Sequence, residues 1–313
     1  MKKLITSAMM VSALALSAAA AQAGEIAVIV KTTNSSFWQN VNKGASAAME
    51  GQSEHTMSFN GPASEAAVND QVNLVENAIN RGVAGIVLAP SDPEALVPAV
   101  KKAFENEIPV VIIDSGLSEQ GKGYYQSFLS TDNCAAGELV ADKMLSEVGN
   151  EGKVAVMSYI AGVGSELGRV GCFVERIKEK SDIEIVGPLY SQSQMATALN
   201  QTTDVLAANS DLKGIFGANE PTAIGMGRAI VQAGKAGTLT AIGFDGNTDL
   251  QDFVRDGTLT GTAVQGSFQM GEMGVQTIIK LLNGEQVPET IDTGVVLAAK
   301  DNIDSPEVQN VLY

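Results

Sequence analysis

Two kinds of hydrophobic pattern alternate along the chain. Nearly continuous apolar runs rich in Val and Ile, such as residues 26–30 and 109–113, are typical of strands buried on both faces. Between such runs lie longer segments in which apolar residues recur every three or four positions, as in residues 68–79, before Gly82. This spacing places the apolar side chains on one face of a helix, and a glycine at that point predicts the helix end. The chain is therefore predicted to alternate strand and helix.

The alternation occurs twice, once before about residue 130 and once after it. Predicted strands cover residues 26–30, 56–59, 85–88, 109–113, 154–157, 183–186, 214–216, 239–243 and 259–264. Predicted helices cover residues 37–49, 68–79, 96–104, 135–148, 223–233 and 270–282, with one more around Val205 before Asn209. Such an order predicts parallel sheets with right-handed crossovers, and two successive sets predict two doubly wound α/β domains. Short connections near residues 130–132, 264–266 and 292–294 favour a hinged pair of domains.

The first 23 residues have the pattern of a cleavable export signal. Lys2 and Lys3 precede an apolar stretch over residues 4–20, and Ala21-Gln22-Ala23 places small residues where a signal peptidase cleaves. No later segment approaches the roughly 18 uninterrupted apolar residues of a membrane span. The sequence thus predicts an exported, periplasmic protein that starts near Gly24, is not inserted in the membrane, and is long enough for two cores.

Charge and histidine content exclude several classes of protein. Lys and Arg number 20 against 36 Asp and Glu, for a net charge of −16. An acidic chain without a basic cluster is a poor ligand for nucleic acid or anionic lipid. His55 is the only histidine, so a multi-histidine metal site is impossible and a histidine-dependent triad would have to use this residue. We therefore expect no metal, no cofactor and no nucleic-acid partner.

Two further motifs each allow more than one interpretation. The segment Gly162-Val163-Gly164-Ser165-Glu166-Leu167-Gly168 resembles a dinucleotide-binding loop, but its last spacing is one residue too long and no acidic residue is clearly placed for a ribose. Cys134 and Cys172, the only cysteines, can form a disulfide in an oxidising compartment or remain two buried thiols.

Polar residues follow the predicted strands at their carboxyl ends, where parallel sheets bind ligands. These residues are Lys31, Asn34, Ser35, Asp114, Ser115, Thr131, Asp132, Asn219, Glu220, Asp245 and Gln265, with Arg169 in a helix start after a glycine-rich loop. Carboxylates, amides and one guanidinium suit a polyhydroxy ligand, whose hydroxyl groups must all be paired when they leave water. The alternative for each aspartate is that it caps the next helix.

Phe37 and Trp38 follow the first polar loop in a chain with 5% aromatic residues. Adjacent rings at this position can cover the C–H face of a sugar, or they can pack as part of the core.

The order and spacing of several segments match a known family. With Ile242-Gly243-Phe244-Asp245-Gly246, Asn219 at its strand end, residues 109–114, Thr131-Asp132-Asn133 and residues 160–169, the chain resembles the ribose-type periplasmic sugar-binding proteins, the solute-binding components of monosaccharide ABC importers. The resemblance implies the type I Venus-flytrap fold, in which two doubly wound domains are joined by a three-strand hinge. The expected N-terminal lobe is residues 24–131 plus 266–292, and the expected C-terminal lobe is residues 132–265 plus 293–313.

The resemblance also implies which residues contact the ligand. The implied contacts are Ser35, Phe37, Trp38, Asp114, Ser115, Thr131, Arg169, Asn219, Asp245 and Gln265.

Four positions depart from the pattern of ribose binders. Ser115 replaces an arginine, Ala89 and Ser35 each replace an asparagine, and Ser193 falls near a further aromatic position. With that arginine gone, the two pocket aspartates would face only Arg169. We therefore expect a less positive, roomier pocket, which puts ribose itself in doubt.

The function expected is capture of a monosaccharide, polyol or amino sugar by a monomer that delivers it to an importer's permease, without catalysis. Two alternatives stay open at this point. The same fold could serve as a ligand sensor for a chemoreceptor or sensor kinase. Asp114 and Asp245 could also act as the acid and base of a periplasmic glycoside hydrolase.

Overall fold

The computed structural model describes residues 24–313, so the predicted export signal lies outside the described residues. The chain begins with a strand–helix alternation that forms most of one lobe. Its elements are β1 (Gly24–Ile29), α1 (Ser36–Ala48), β2 (His55–Asn60), α2 (Val68–Arg81), β3 (Gly85–Leu88), α3 (Val97–Glu105), β4 (Val110–Ile113) and β5 (Ser127–Ser130).

A second strand–helix alternation forms most of the other lobe, and the segment after it adds elements to both lobes. The elements are α4 (Asn133–Val148), β6 (Lys153–Ser158), α5 (Gly164–Lys180), β7 (Glu184–Tyr190), α6 (Met195–Ala208), β8 (Leu212–Gly217), α7 (Glu220–Gln232), β9 (Thr240–Phe244), α8 (Thr248–Asp256), β10 (Gly261–Gln265), α9 (Ser267–Leu282), β11 (Thr290–Asp292), β12 (Val295–Ala299) and α10 (Pro306–Gln309). The second alternation runs from α4 to β10, and the segment after it adds α9 and β11 to the first lobe and β12 and α10 to the second.

The strands form two six-stranded sheets, with the orders β11-β5-β4-β3-β1-β2 and β12-β10-β9-β8-β6-β7. Every pairing is parallel except that of β12, which runs antiparallel to β10. Every residue of β3 and β4 is buried, as their continuous apolar runs predict. We call the lobe of the first sheet the N-lobe and that of the second sheet the C-lobe.

The chain passes between the lobes three times. It leaves the N-lobe between β5 and α4, returns between β10 and α9, and leaves again between β11 and β12. The predicted fold class, two doubly wound domains joined by three connecting segments, is confirmed. The carboxyl ends of both parallel sheets meet the cleft at these crossings.

Local chemistry explains where the helices begin and end. Asp132 accepts a hydrogen bond from Ala135 N at the start of α4, and Asn247 does the same for Leu250 N at the start of α8. Gly82 ends α2 with φ 67°, a left-handed conformation that glycine adopts without steric cost.

Close helix packing depends on small residues and on one covalent link. A Cβ atom at Gly271 of α9 would lie 1.9 Å from the carbonyl oxygen of Val41 in α1, so only glycine permits this contact. Cys134 of α4 and Cys172 of α5 form a disulfide with an S–S distance of 2.00 Å, which decides between the two states that the sequence leaves open. The spacing of Leu96, Val100 and Phe104 in the sequence predicts that all three lie on the buried face of α3, and this prediction is wrong for Phe104, which is 45% exposed.

Candidate functional site

A cavity of about 330 Å³ lies in the cleft between the lobes. It is lined by Lys31, Ser35, Phe37, Trp38, Glu65, Asp114, Tyr159, Ser165, Arg169, Asn219, Glu220, Pro221, Asp245 and Gln265. Asp114, Tyr159 and Asp245 directly follow a strand and Gln265 ends one, because the carboxyl ends of both parallel sheets point into the cleft.

Eight of the ten residues predicted to contact a ligand line this cavity, and Ser115 and Thr131 do not. Ser115 is 1% exposed and lies beneath the lining, where its Oγ accepts from Lys31 and donates to Asp114. Thr131 is 1% exposed and donates to the carbonyl oxygen of Gly294 beside the third crossing. Direct ligand contact by any of the ten stays a prediction.

An ion pair that the sequence did not predict lies on the N-lobe wall. Lys31 Nζ lies 2.6 Å from Asp114 Oδ2, and the two side chains are 3% and 6% exposed. The expectation that the pocket aspartates face only Arg169 is therefore wrong. Because β1 ends just before Lys31, the Lys31 side chain reaches Asp114 in the pocket. Asp114 is followed by Ser115, the position where ribose binders carry an arginine. The sequence signal that could have predicted this ion pair is the position of Lys31 after the first strand, on the same sheet edge as Asp114.

Arg169 is the cation of the C-lobe wall and is 2% exposed. Its guanidinium donates to the carbonyl oxygen of Ala218 at 2.7 Å, to Gln265 Oε1 at 3.0 Å and to Asn133 Oδ1 at 2.8 Å. Its centre lies 3.6 Å from the ring centroid of Phe244, so the planar group also stacks on an aromatic face. These contacts fix the guanidinium before any ligand arrives.

Two carboxyl groups adjoin each other across from Lys31. Asp245 accepts from Gln265 Nε2 and from the backbone N–H of Glu220, both at 2.8 Å, and burial raises the pKa of Asp245 to about 6. Burial, and then the charge of Asp245, raise the pKa of Glu220 to about 8. Glu220 accepts from Ser36 N at 2.9 Å and from the hydroxyl of Tyr313 at 3.0 Å. At neutral pH the Glu220 side chain is therefore mainly uncharged.

The aromatic wall is formed by Phe37 and Trp38, whose rings meet edge to face with centroids 4.8 Å apart. Both residues line the cavity and both belong to the N-lobe core, so the core interpretation is confirmed and contact with a sugar stays a prediction. Trp38 Nε1 donates to Glu65 Oε1 at 2.8 Å, which satisfies its buried donor.

The lobes are closed on the cavity. Three hydrogen bonds cross the cleft: Ser36 N to Glu220 Oε1, Ser165 N to Ser115 Oγ, and Ser193 Oγ to Glu65 Oε2. Glu65, Glu220 and Ser193 gain these contacts from closure, which sequence patterns do not describe.

The profile of the periplasmic binding protein domain family matches residues 26–286. The chain belongs to this family. The ribose import binding protein RbsB of Escherichia coli is 31% identical over 96% of the chain and 99% of its own length. The D-allose-binding periplasmic protein of Escherichia coli is 30% identical over 85% of the chain and 87% of its own length. This confirms the resemblance to ribose-type sugar-binding proteins.

Solved structures agree with this membership. An ABC transporter solute-binding protein from Agrobacterium vitis with bound D-fucose is 71% identical, with a TM-score of 0.92 over 93% of the chain and 100% of that chain. A carbohydrate transporter solute-binding protein from Agrobacterium radiobacter in complex with D-arabinose is 32% identical, with a TM-score of 0.88 over 93% of the chain and 99% of that chain. The type I binding-protein fold is thereby confirmed.

For this periplasmic binding protein domain, three findings concern metal clusters, membrane-spanning helices and the position of the histidine. Across residues 24–313, no group of three or more His, Cys, Asp or Glu side chains is arranged to hold a metal ion. No helix of the same range is long and apolar enough to cross a membrane. His55 begins β2 at the edge of the N-lobe sheet and is not part of the cavity lining.

Proposed function

We propose that this protein captures one neutral monosaccharide in the periplasm and delivers it to the permease of an ABC importer, without chemical change. The observation that carries the proposal is the closed cavity of about 330 Å³, in which hydrogen-bonding groups face an aromatic wall. Buried carboxylate, amide and guanidinium groups need partners, and the hydroxyl groups of a sugar supply both donors and acceptors. The bound D-fucose of the 71% identical structure supports D-fucose as the first ligand to test.

The charges of the site favour a neutral sugar over an amino sugar. The carboxylate of Asp114 already has an ammonium partner in Lys31, at 2.6 Å. Glu220 is mainly uncharged at neutral pH because its pKa is raised to about 8. A second ammonium group would therefore find few unpaired carboxylates and would lose its own hydration on burial.

Calorimetric titration tests the ligand class. We expect D-fucose to bind at least tenfold more tightly than D-galactosamine, with D-ribose as the comparison for the departures at Ser115 and Ala89. Asp245→Asn keeps the size of the side chain and should weaken D-fucose binding while the ligand-free protein stays folded. Equal binding of the neutral and amino sugars would refute the charge argument.

Capture without catalysis has its own test. Incubation with the 4-nitrophenyl glycoside of D-fucose should release no nitrophenol, because the carboxylate of Asp114 is engaged in an ion pair with Lys31. Release that is lost in Asp114→Asn would establish a hydrolase instead.

Export and a monomeric state are part of the same proposal. Protein purified from the periplasm should begin near Gly24, and size-exclusion chromatography should give the mass of one chain. An intact N-terminus at Met1 would refute the export signal.

A further inference from the structure

Glu65 lies in the loop between β2 and α2 and uses both of its carboxylate oxygens. Oε1 accepts from Trp38 Nε1 at 2.8 Å, and Oε2 accepts from Ser193 Oγ at 2.7 Å. The residue is 8% exposed. Because Trp38 belongs to the N-lobe and Ser193 to the C-lobe, this carboxylate joins the aromatic wall to the opposite lobe.

The C-lobe partner is held in place by its own loop, between β7 and α6. Gln192 and Ser193 have φ values of 57° and 52°, in the left-handed region that side chains other than glycine rarely adopt. Gln192 N donates to the carbonyl oxygen of Tyr159 at 2.8 Å, and Asn219 Nδ2 donates to Ser193 Oγ at 3.0 Å. These contacts direct the Ser193 hydroxyl across the cleft.

The Glu65–Ser193 contact stands between two spaces. The inner space is the cavity of about 330 Å³, and the outer one is a groove of about 600 Å³ that opens beside it. Glu65, Ser35 and Pro221 line both spaces, whereas Ser193 lines the outer groove. The hydrogen bond therefore forms part of the partition between the cavity and the groove.

We infer that the Glu65–Ser193 hydrogen bond is a gate on the ligand's exit route, and that Glu65 also orients Trp38 within the aromatic wall. The inference rests on the proposed capture of a sugar. The bond joins the two lobes, so it exists only when they are closed. It must break before a bound sugar leaves, whereas association begins from the open state. The gate therefore slows dissociation and leaves the association rate unchanged.

Stopped-flow fluorescence with D-fucose tests the gate, because Trp38 is the sole tryptophan and lies at the contact. Ser193→Ala should release the sugar about tenfold faster, as expected when one hydrogen bond to a charged acceptor is lost. Ser193→Gly should do the same, and glycine accepts the left-handed backbone, so this variant keeps the loop folded. Ser146→Ala is the matched control, because its hydroxyl bonds only within α4, to the carbonyl oxygen of Lys143.

A second readout separates the two roles of Glu65. Glu65→Gln should shift the emission of Trp38 in the closed protein, since the charged acceptor of the indole N–H is removed, whereas the Ser193 variants should leave the emission maximum unchanged. If wild-type protein binds D-fucose and both Ser193 variants release it within twofold of the wild-type rate, the gate is refuted alone. If wild-type protein binds no sugar, the proposed function fails and the gate with it.

Discussion

Ligand affinity should fall as the pH rises from 6.5 to 8, because closure of the lobes buries Glu220. In the closed protein the backbone N–H of Ser36 covers Glu220 Oε1 at 2.9 Å, and the side chain is held between Asp245 and Tyr313. Opening admits water to the buried carboxyl group, so the pKa of Glu220 drops from about 8 towards its ordinary value of 4.5, and the lost hydrogen bond from Ser36, which lowers the pKa in the closed protein, makes this drop smaller. Closure of the lobes therefore takes up a proton at pH values between 4.5 and about 8.

The sign and size of the effect follow from linkage. A carboxyl group whose pKa is raised in the closed state favours closure fully below its open-state pKa and loses that contribution as the pH rises through the closed-state pKa. Between pH 6.5 and 8, full recovery of the ordinary pKa on opening would weaken binding by at most about 15-fold. The pKa of Asp245, raised to about 6, acts in the same direction but at lower pH.

Isothermal titration of D-fucose in phosphate and in Tris measures both the affinity and the protons taken up, since the two buffers differ in ionisation enthalpy. Glu220→Gln, which has nearly the same shape and no proton to gain, should bind with little dependence on pH over this range. A wild-type affinity that stays constant over this pH range, with no proton uptake, would refute the reasoning. If Glu220→Gln kept the pH dependence of the affinity, another titratable group would be its cause.

Three further predictions concern stability, measured by urea unfolding. Lys31→Met leaves the buried carboxylate of Asp114 without its ammonium partner and should cost about 3–5 kcal/mol. Part of this loss should be recovered when Asp114→Asn is added to the same variant. Gly271→Ala places a methyl group against a carbonyl oxygen of α1 and should cost about 1–3 kcal/mol, whereas Gly171→Ala, with no neighbour within 4 Å of the new Cβ, should stabilise α5 by about 0.5–1 kcal/mol. Replacing Cys134 and Cys172 together by Ala opens a loop of 38 residues and should cost about 4 kcal/mol, so unchanged stability would contradict the loop-entropy argument.

The fold was predictable because each strand and helix carries its own periodicity. The apolar residues 110–113 and 26–30 are buried, and their prediction needed no tertiary information. By contrast, β11 and β12 have only partly buried patterns and lie at the outer edges of their sheets, so periodicity did not predict them. Phe104 shows the opposite error, because helical spacing continues beyond the part of α3 that the core covers.

The candidate site divides in a similar way. Asp114 and Asp245 were predictable from topology, since each ends a strand whose carboxyl end faces the cleft, and each adopts a positive φ there (62° and 81°). Glu65 lies in a loop, and its carboxylate is held at the cavity by hydrogen bonds from Trp38 and from Ser193 of the opposite lobe. Its role depends on closure, which brings together residues that are 128 positions apart in the sequence.

A side chain that caps a helix can also line the cavity, as Asn219 does. Asn219 Oδ1 accepts from Thr222 N at the start of α7, and its Nδ2 donates to Ser193, so the amide is fixed while it lines the cavity. Asp114 Oδ2 lies 2.6 Å from Lys31 Nζ and accepts from Ser115 Oγ at 2.9 Å. We propose that the carboxylate held in this way accepts a sugar hydroxyl. Groups that protein contacts already orient lose less entropy when a ligand binds, so the Lys31–Asp114 ion pair would lower the cost of the proposed sugar contact.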